Sequence, residues 1–222
     1  VRRFSIQVRH EISRINADLE RESQERRKLQ AMNLKLREQV DLTMSEAEQL
    51  RDQVSHDSLT GVFNRGYLDA ALPSLLLLSQ QSATPFALVM VDLDHFKEVN
   101  DRHGHMMGDE VLRGFGQLVR EFLRGSDIVG RYGGEEFCLA LIGCGPDAAM
   151  QRMQAMLKAF GERVFNVESA KLAGLSFSAG IAVYPEDGIS VRNLALKADQ
   201  RLLKAKAAGR ARVLVEESPA IV

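Results

Sequence analysis

The sequence predicts an α+β fold, in which an antiparallel sheet carries helices on one side and a long helix precedes the domain. From residue 86 onward, β-rich apolar runs and amphipathic helical stretches follow each other in the order β-α-α-β-β-α-β-α-β, which is typical of a sheet covered by helices. Two of the runs flank Gly133-Gly134, and a glycine pair in this position indicates a β-hairpin. Residues 1–55 contain no proline or glycine and are dense in Glu, Arg and Gln, as expected of a long helix.

The amino-acid composition limits the classes of protein to which the chain can belong. The 222 residues suffice for one domain and an appendage, and a formal net charge of −1 argues against a nucleic-acid-binding protein. The apolar run Leu75–Leu78 is far too short to span a membrane, and no signal peptide is recognisable. We expect Cys138 and Cys144 to be free, packed thiols in a reducing compartment, the cytoplasm. The chain begins with Val1 rather than Met, which leaves open an upstream segment that has been removed.

Residues 1–55, here called the stalk, carry apolar residues at a heptad spacing without a break in register. The pattern predicts a parallel coiled-coil homodimer; a single amphipathic helix folded back on the domain is the alternative. Asn33 would fix the register, whereas Glu22 and Arg26 weaken the centre, so that a regulatory protein could use the stalk as a switch. The a positions are Ile12, Leu19, Arg26, Asn33, Val40, Ala47 and Val54, and the d positions are Ile15, Glu22, Leu29, Leu36, Thr43 and Leu50.

The domain is expected to comprise residues 56–216, followed by a frayed tail over residues 217–222. Turn-prone residues near Gly61 and Gly66 form a connector to a helix over residues 67–81, in which Pro73 predicts a kink or a division. The further predicted strands are 86–92, the hairpin runs 127–129 and 138–142, 175–184 and 212–215, and the further predicted helices are 96–100, 107–123, 146–164 and 191–208.

Carboxylates follow two of the predicted strands at their tips. Asp92 ends the run that begins at Phe86, and Glu135 and Glu136 follow a tight turn that predicts positive φ at both glycines. Neighbouring strand residues point to opposite faces, so only one of the two glutamates can face a site. We choose Asp92 and Glu135, whose oxygens suit Mg²⁺, with Mn²⁺ as a substitute, and which together are typical of phosphoryl or nucleotidyl transfer.

The stretch Arg131–Phe137, RYGGEEF, resembles the signature of the GGDEF family of diguanylate cyclases in its GGEEF form. The resemblance extends in order over residues 55–215, and Leu203 and Ala211 depart from the family pattern without touching a proposed ligand. It implies the ferredoxin-like palm of nucleotidyl cyclases and, as activity, condensation of two GTP into cyclic di-GMP and two diphosphates by a dimer. The other matching segments are Asp57–Arg65, Asp92–Lys97, Asn100-Asp101, Gly104-His105, Gly108-Asp109, Phe177–Ala182, Ala198-Asp199 and Lys204–Arg210.

The resemblance also implies roles for single residues. The metal ligands fall on Asp92, Glu135 and the backbone carbonyl of Leu93, and Glu135 is also the residue that activates the attacking 3′-hydroxyl. Guanine recognition falls on Asn100 and Asp109, because an amide and a carboxylate can bond the edge of that base. The remaining expected contacts are His105 in the nucleotide pocket, Phe96, Lys97 and the amides after Asp94 at the phosphates, and Lys206 and Arg210, four apart on the last helix, at the triphosphate.

A second site is implied by Arg124-Gly125-Ser126-Asp127, which matches the inhibitory RxxD motif at which the family's product binds and holds two domains apart. Arginine can fork onto phosphate or guanine, and aspartate can accept from guanine. The alternative is a helix C-terminus with Arg124 in the last turn, Gly125 as the cap and Asp127 at the start of a strand.

An active cyclase is the leading interpretation because Asp92 and the signature are both intact. A receptor for GTP or cyclic di-GMP without turnover, and a scaffold that acts through the stalk, remain alternatives. Singly, the polar residues also have plainer explanations: His105 as a surface histidine, Asn100-Asp101 as a polar pair that ends a helix, and the basic residues of the last helix as a solvated face.

Overall fold

The computed structural model describes residues 55–168 and 170–215, together with Arg26, residues 32–37 and residues 39–40. The chain divides into two units, Val1–Val54 and Ser55–Val222. In the first unit, the heptad positions Arg26, Asn33, Leu36 and Val40 are helical and exposed. The other heptad positions and residues 217–222 lie outside the described residues, so the coiled coil and the frayed tail stay predictions.

Every predicted helix and strand of the domain is present, with its ends shifted by a few residues. A short strand before the first helix and a small hairpin are additional to the prediction. The strands are β1 (Phe63–Asn64), β2 (Phe86–Leu93), β3 (Ile128–Arg131), β4 (Glu136–Ile142), β5 (Phe165–Val167), β6 (Ala170–Leu172), β7 (Phe177–Tyr184) and β8 (Val213–Leu214). The helices are α1 (Arg65–Gln81), α2 (Phe96–His103), α3 (His105–Phe122), α4 (Pro146–Glu162) and α5 (Val191–Ala207).

The main sheet has the order β1-β3-β4-β2-β7-β8, and its four central strands are antiparallel. With their helical connections these four strands form the ferredoxin-like arrangement. The two edge strands are parallel to their neighbours, β1 to β3 and β8 to β7. The prediction of an antiparallel sheet is therefore right for the four central strands and wrong for the two edge strands. β8 lies parallel to β7 because the chain returns to it through the crossover helix α5.

Helices cover both faces of the sheet, so the prediction of helices on one side is wrong. Ala87, Val89 and Val91 of β2 pack in one core cluster with residues of α3 and α4. The alternate residues of β2, from Phe86 to Met90, pack in a second cluster with residues of α1 and α5. All of β2 is buried, and a continuous apolar run is the pattern of a strand covered on both faces.

Helix α1 runs without a break through Pro73, which lies inside its 17 residues, so the helix is not divided there. Asn64 caps its N-terminus, with the side-chain Oδ1 accepting from the amide of Tyr67 at 3.0 Å. Cys138 and Cys144 are free and buried, as predicted, and burial raises the pKa of the Cys138 thiol to about 12. In the part of the chain that the structure describes, no helix is both long and apolar enough to cross a membrane.

Candidate active site

Strand register brings Asp92 and the signature turn together at one tip of the sheet. In the antiparallel pair of β2 and β4, Asp92 lies opposite Glu136. The amide of Leu93 donates to the backbone oxygen of Glu135 at 3.2 Å. Asp92 is buried and Glu135 is half-buried, so both carboxylates lie where solvent screens them weakly.

The electrostatics of this tip favour a bound cation. Burial raises the pKa of Glu135, the neighbouring Asp92 carboxylate raises it further, and Lys206 opposes the shift. A divalent ion between the two carboxylates would remove their repulsion. No cluster of three or more His, Cys, Asp or Glu occurs among the described residues. A cation would therefore complete its shell with backbone, water and phosphate oxygens, which is the usual way for Mg²⁺ and fits the donors present here.

Two cations of the C-terminal segment, Lys206 and Arg210, do not lie on one helix. The Nζ of Lys206 lies 2.7 Å from Oδ2 of Asp92, so Lys206 is beside the carboxylate pair. Helix α5 ends at Ala207, and Arg210 has a φ of +60° beyond it. The prediction that Lys206 and Arg210 share a face of one helix is thus wrong, because Gly209, with φ +107°, takes the chain out of the helix.

The signature turn is longer than the two-residue turn that the glycines predict. Neither Gly133 nor Gly134 has positive φ, and β4 starts only at Glu136, so Glu135 lies in the turn. The amides of Tyr132 and Gly133 both donate to the backbone oxygen of Glu136, at 2.8 and 3.2 Å. A Cβ on Gly133 would collide with the Glu136 carboxylate, whereas one on Gly134 would meet open space. The turn therefore leaves its backbone accessible next to Glu135.

The residues expected to recognise guanine come from the α2–α3 corner. Asn100 of α2 and Asp109 of α3 are both half-buried, and His105 at the start of α3 is exposed. The Asn100 amide lies directly over Gly108, where any Cβ would collide with its oxygen. Gly108 therefore leaves room for the Asn100 side chain, and this role in the site was not predicted from the sequence.

The start of α2 follows the tip of β2 and has no side-chain cap. Its N-cap residue, His95, has a φ of +58° and makes no side-chain cap, so the first N–H groups of the helix are not used by it. Lys97 is exposed beside them, and the ring of Phe96 is buried in the core. Phe96 can therefore contribute its backbone amide, and not its ring, to an anion site.

Asp94 is a second residue that sequence reasoning leaves without a role. Its carboxylate accepts from the hydroxyls of Ser178 and Ser176, both at 2.7 Å, and from the amide of Ala211 at 2.9 Å. Asp94 therefore ties β2 to β7 and to the segment after α5, and does not form the carboxylate pair. Asp94 follows the last residue of β2, Leu93, so the alternation of strand faces does not predict this arrangement.

The two residues of the RxxD motif differ sharply in environment. Arg124 is exposed, whereas the side chain of Asp127 is fully buried and lies 2.6 Å from Nη1 of Arg152. The amides of Arg124 and Ile142 also donate to Asp127, each at 3.0 Å. Helix α3 ends at Phe122 and β3 starts at Ile128, so Arg124 is not in the last helical turn. Arg124 and Asp127 border a pocket of about 310 Å³ that Arg120 and His56 also line.

The ferredoxin-like sheet with two carboxylates at adjoining tips agrees with the nucleotidyl cyclase type of domain that the sequence resemblance implies. The family model described as "Diguanylate cyclase, GGDEF domain" matches residues 54–212. The chain therefore belongs to the GGDEF family of diguanylate cyclases.

Known proteins resemble the chain over most of its length. The diguanylate cyclase TpbB of Pseudomonas aeruginosa is 34% identical over 157 residues, which are 71% of this chain and 36% of TpbB. The coiled coil and GGDEF domain of DgcB from Caulobacter crescentus, solved with c-di-GMP, has a TM-score of 0.75 at 25% identity, over 85% of this chain and 99% of that one. The diguanylate cyclase SiaD of P. aeruginosa, solved with its activator SiaC, has a TM-score of 0.78 at 26% identity, over 96% of this chain and 82% of SiaD. The chain spans 15% to 48% of the length of curated relatives that it matches.

Proposed function

We propose that this chain is an active diguanylate cyclase, which condenses two GTP into cyclic di-GMP and releases two diphosphates. The observation that carries the proposal is the carboxylate pair Asp92 and Glu135 at the tip of the sheet, with Lys206 2.7 Å from Asp92. Acidic groups on adjoining strand tips, a cation beside them and the uncapped start of a helix next to them are the parts that phosphoryl transfer requires.

The ligands of Mg²⁺, or of Mn²⁺ in its place, would be Asp92, Glu135 and the backbone carbonyl of Leu93. When bound, the ion supplies Lewis-acid stabilisation of charge on the reacting phosphate oxygens. Glu135 lies in the turn, next to Gly134, over which there is open space, and it would accept the proton of the attacking 3′-hydroxyl.

The nucleotide would lie between the α2–α3 corner and the end of α5. Asn100 and Asp109 would bond the guanine edge, with His105 at the rim. The amides at the start of α2, with Lys97, would bind the phosphates. Lys206, partly exposed and held by Asp92, and the exposed Arg210 would neutralise the triphosphate from the opposite side.

Two copies of the chain are needed, because one domain holds one GTP and the product contains two. The reaction then depends on positioning, and a parallel stalk would raise the effective concentration of one domain next to the other. The likeness to the coiled coil and GGDEF domain of DgcB supports a coiled-coil stalk, and the likeness to SiaD, solved with its activator SiaC, supports a regulatory protein partner. The homodimer, and the stalk as the surface that the partner binds, are parts of the proposal. A GTP-consuming enzyme with buried free thiols fits the cytoplasm.

Product inhibition would use Arg124, whose exposed guanidinium borders the pocket at the end of α3. The carboxylate of Asp127 already has three donors in the protein. Asp127 would therefore act mainly by holding the backbone of Arg124, whose side chain would bind the guanine or phosphate of the product.

The test is to incubate the purified chain with GTP and Mg²⁺ and to separate the products by chromatography, with Glu135→Gln and Glu186→Gln alongside. Glu186 is exposed and lies outside the proposed site, so its variant is the matched control. We expect cyclic di-GMP from the parent and from Glu186→Gln, and none from Glu135→Gln. No product from any of the three, on dimers verified by light scattering, would contradict the proposal.

A further inference from the structure

The carboxylate of Asp94 joins three segments at the tip of the sheet. Its Oδ1 accepts from the Ser178 hydroxyl, and its Oδ2 accepts from the Ser176 hydroxyl and the Ala211 amide. Asp94 is only 5% exposed, and these three donors are all uncharged. Hydrogen bonds of this kind satisfy the oxygens of a buried carboxylate and at the same time fix the groups that donate them.

The segment that Asp94 holds has a backbone that few residues adopt. Gly209, Arg210 and Ala211 have φ values of +107°, +60° and +48° in succession. Glycine tolerates this region, but in each of the two other residues the Cβ lies too close to the following carbonyl oxygen, so the conformation is unfavourable. A run of this kind persists only where surrounding contacts hold it. The contacts include the Arg210 amide to Ala205 O at 3.1 Å and the Ala211 amide to Asp94.

The left-handed turn determines where the Arg210 side chain lies. Arg210 is exposed, and the next residue, Ala211, donates its amide to Asp94, which precedes the first residue of α2, Phe96, by two positions. The pKa of Glu98 is lowered chiefly by its hydrogen bond from His95, and the Arg210 guanidinium adds to the effect. The hydrogen bond of Ala211 to Asp94 places the backbone of Arg210 close to the start of α2, and the effect of Arg210 on Glu98, in the first turn of that helix, agrees with this position.

We propose that Asp94 is a positioning residue for the triphosphate, because it holds the turn 209–211 that places Arg210 at the start of α2. The inference rests on the proposed function, since it takes GTP as the ligand, and it gives a role to a carboxylate outside the metal pair. Asp94 acts through Arg210, because its own carboxylate is occupied by Ser176, Ser178 and Ala211.

The test compares the affinities of the full chain for α,β-methylene GTP and for GMP, measured by isothermal titration calorimetry in the presence of Mg²⁺. Their ratio reports the contribution of the terminal phosphates. We expect Asp94→Ala to lower the ratio roughly tenfold or more, the size of one lost hydrogen bond to a charged group, and to leave GMP affinity unchanged. Ser178→Ala removes only the bond to the other oxygen of Asp94, so it should keep the parental ratio.

A double-mutant cycle separates positioning from general damage to the fold. If Asp94 acts through Arg210, then Asp94→Ala in an Arg210→Ala background lowers the ratio no further. Thermal melting verifies that each variant is folded. Where Asp94→Ala does not fold, Asp94→Ser takes its place, since a serine keeps a hydroxyl at this buried position but lacks the carboxylate oxygen that accepts from Ala211. Asp94→Asn should restore most of the ratio, because its amide oxygen can accept from Ala211.

An unchanged ratio in Asp94→Ala and Asp94→Ser would overturn the inference, and so would losses that add in the double variant. A parent chain that binds the GTP analogue no more tightly than GMP would instead contradict the proposed function on which the inference rests.

Discussion

Arg131 joins the signature turn to Asp57, a residue that precedes it by 74 positions. Its Nη1 donates to both carboxylate oxygens of Asp57 at 3.2 Å, and its Nε and Nη2 donate to the backbone oxygen of Gly134 at 3.0 and 2.7 Å. The Arg131 and Asp57 side chains are 18% and 22% exposed, so the pair is weakly screened. One guanidinium thus connects the start of the domain with the turn that carries Glu135.

Arg131→Lys is expected to lower both turnover and stability. Lysine keeps the charge but cannot bond Asp57 and Gly134 together, since it lacks the planar fork. We expect the free energy of unfolding in urea to fall by about 1–3 kcal/mol. The exposed pair of Arg113 and Glu110 provides the control, and Arg113→Lys should change stability by less than about 0.5 kcal/mol. Equal effects of the two substitutions would contradict a special role for Arg131.

The contribution of Asp57 should disappear in acid. Burial raises its pKa, but the two Thr60 hydrogen bonds and the Arg131 charge outweigh burial, so the pKa is below its usual value of 3.8. A carboxylate with a lowered folded-state pKa stabilises the fold above its unfolded-state pKa, and this stabilisation is lost as the pH falls through the folded-state pKa. The stability difference between the parent and Asp57→Asn should be constant near pH 6 and shrink below about pH 4. A difference that stays constant down to the acid transition would contradict this assignment.

Lys206→Met should strengthen the binding of a divalent cation in the absence of nucleotide. Lys206 occupies one oxygen of Asp92 at 2.7 Å and therefore competes with a metal for it. We expect the affinity for Mn²⁺, measured by electron paramagnetic resonance, to rise roughly two- to fivefold, the worth of a partly exposed ion pair. Turnover of GTP should fall in the same variant, because the triphosphate loses a cation. Lys158→Met, on the exposed surface of α4, is the control, and weaker Mn²⁺ binding by Lys206→Met would refute the competition.

Gly108→Ala should impair the choice between guanine and adenine. The new Cβ would displace the Asn100 amide that lies over it, while alanine inside a helix does not weaken α3 itself. We expect the ratio of kcat/KM for GTP over ATP to fall roughly tenfold, as for one or two lost polar contacts to the base. Gly145→Ala, where a Cβ meets open space, should leave the ratio unchanged. A parental ratio in Gly108→Ala would argue against Asn100 as a base contact.

Arg124→Ala and Asp127→Ala should separate inhibition from stability. Arg124 is exposed, so its removal should abolish inhibition by cyclic di-GMP and leave the melting temperature unchanged. Asp127 is the buried partner of Arg152, and its removal should lower the free energy of unfolding by about 3–5 kcal/mol, as for a buried pair that loses one member. Inhibition curves and urea titrations of both variants measure the two effects. Unchanged inhibition of Arg124→Ala would remove the proposed product site.

Sequence patterns predict the elements of the domain and the meeting of Asp92 with the signature turn, because apolar runs and their tips are local features. The sequence also indicates that helices cover both faces of the sheet, because the run Phe86–Val91 is apolar without alternation. The contact of Arg131 with Asp57 and the hydrogen bonds of Asp94 join segments that are far apart in the sequence. Local sequence patterns therefore cannot predict them. The position of Arg210 could not be predicted from a helical spacing of four residues after Lys206. At Gly209, which has positive φ, the chain has left the helix.

The most direct test of the central claim is to measure diphosphate and cyclic di-GMP in one reaction of the full chain with GTP and Mg²⁺. A diguanylate cyclase releases two diphosphates for each cyclic dinucleotide, and both should vanish with EDTA and in Asp92→Asn. Diphosphate without the cyclic product, or product that persists in Asp92→Asn, would contradict the assignment of the reaction to this carboxylate pair.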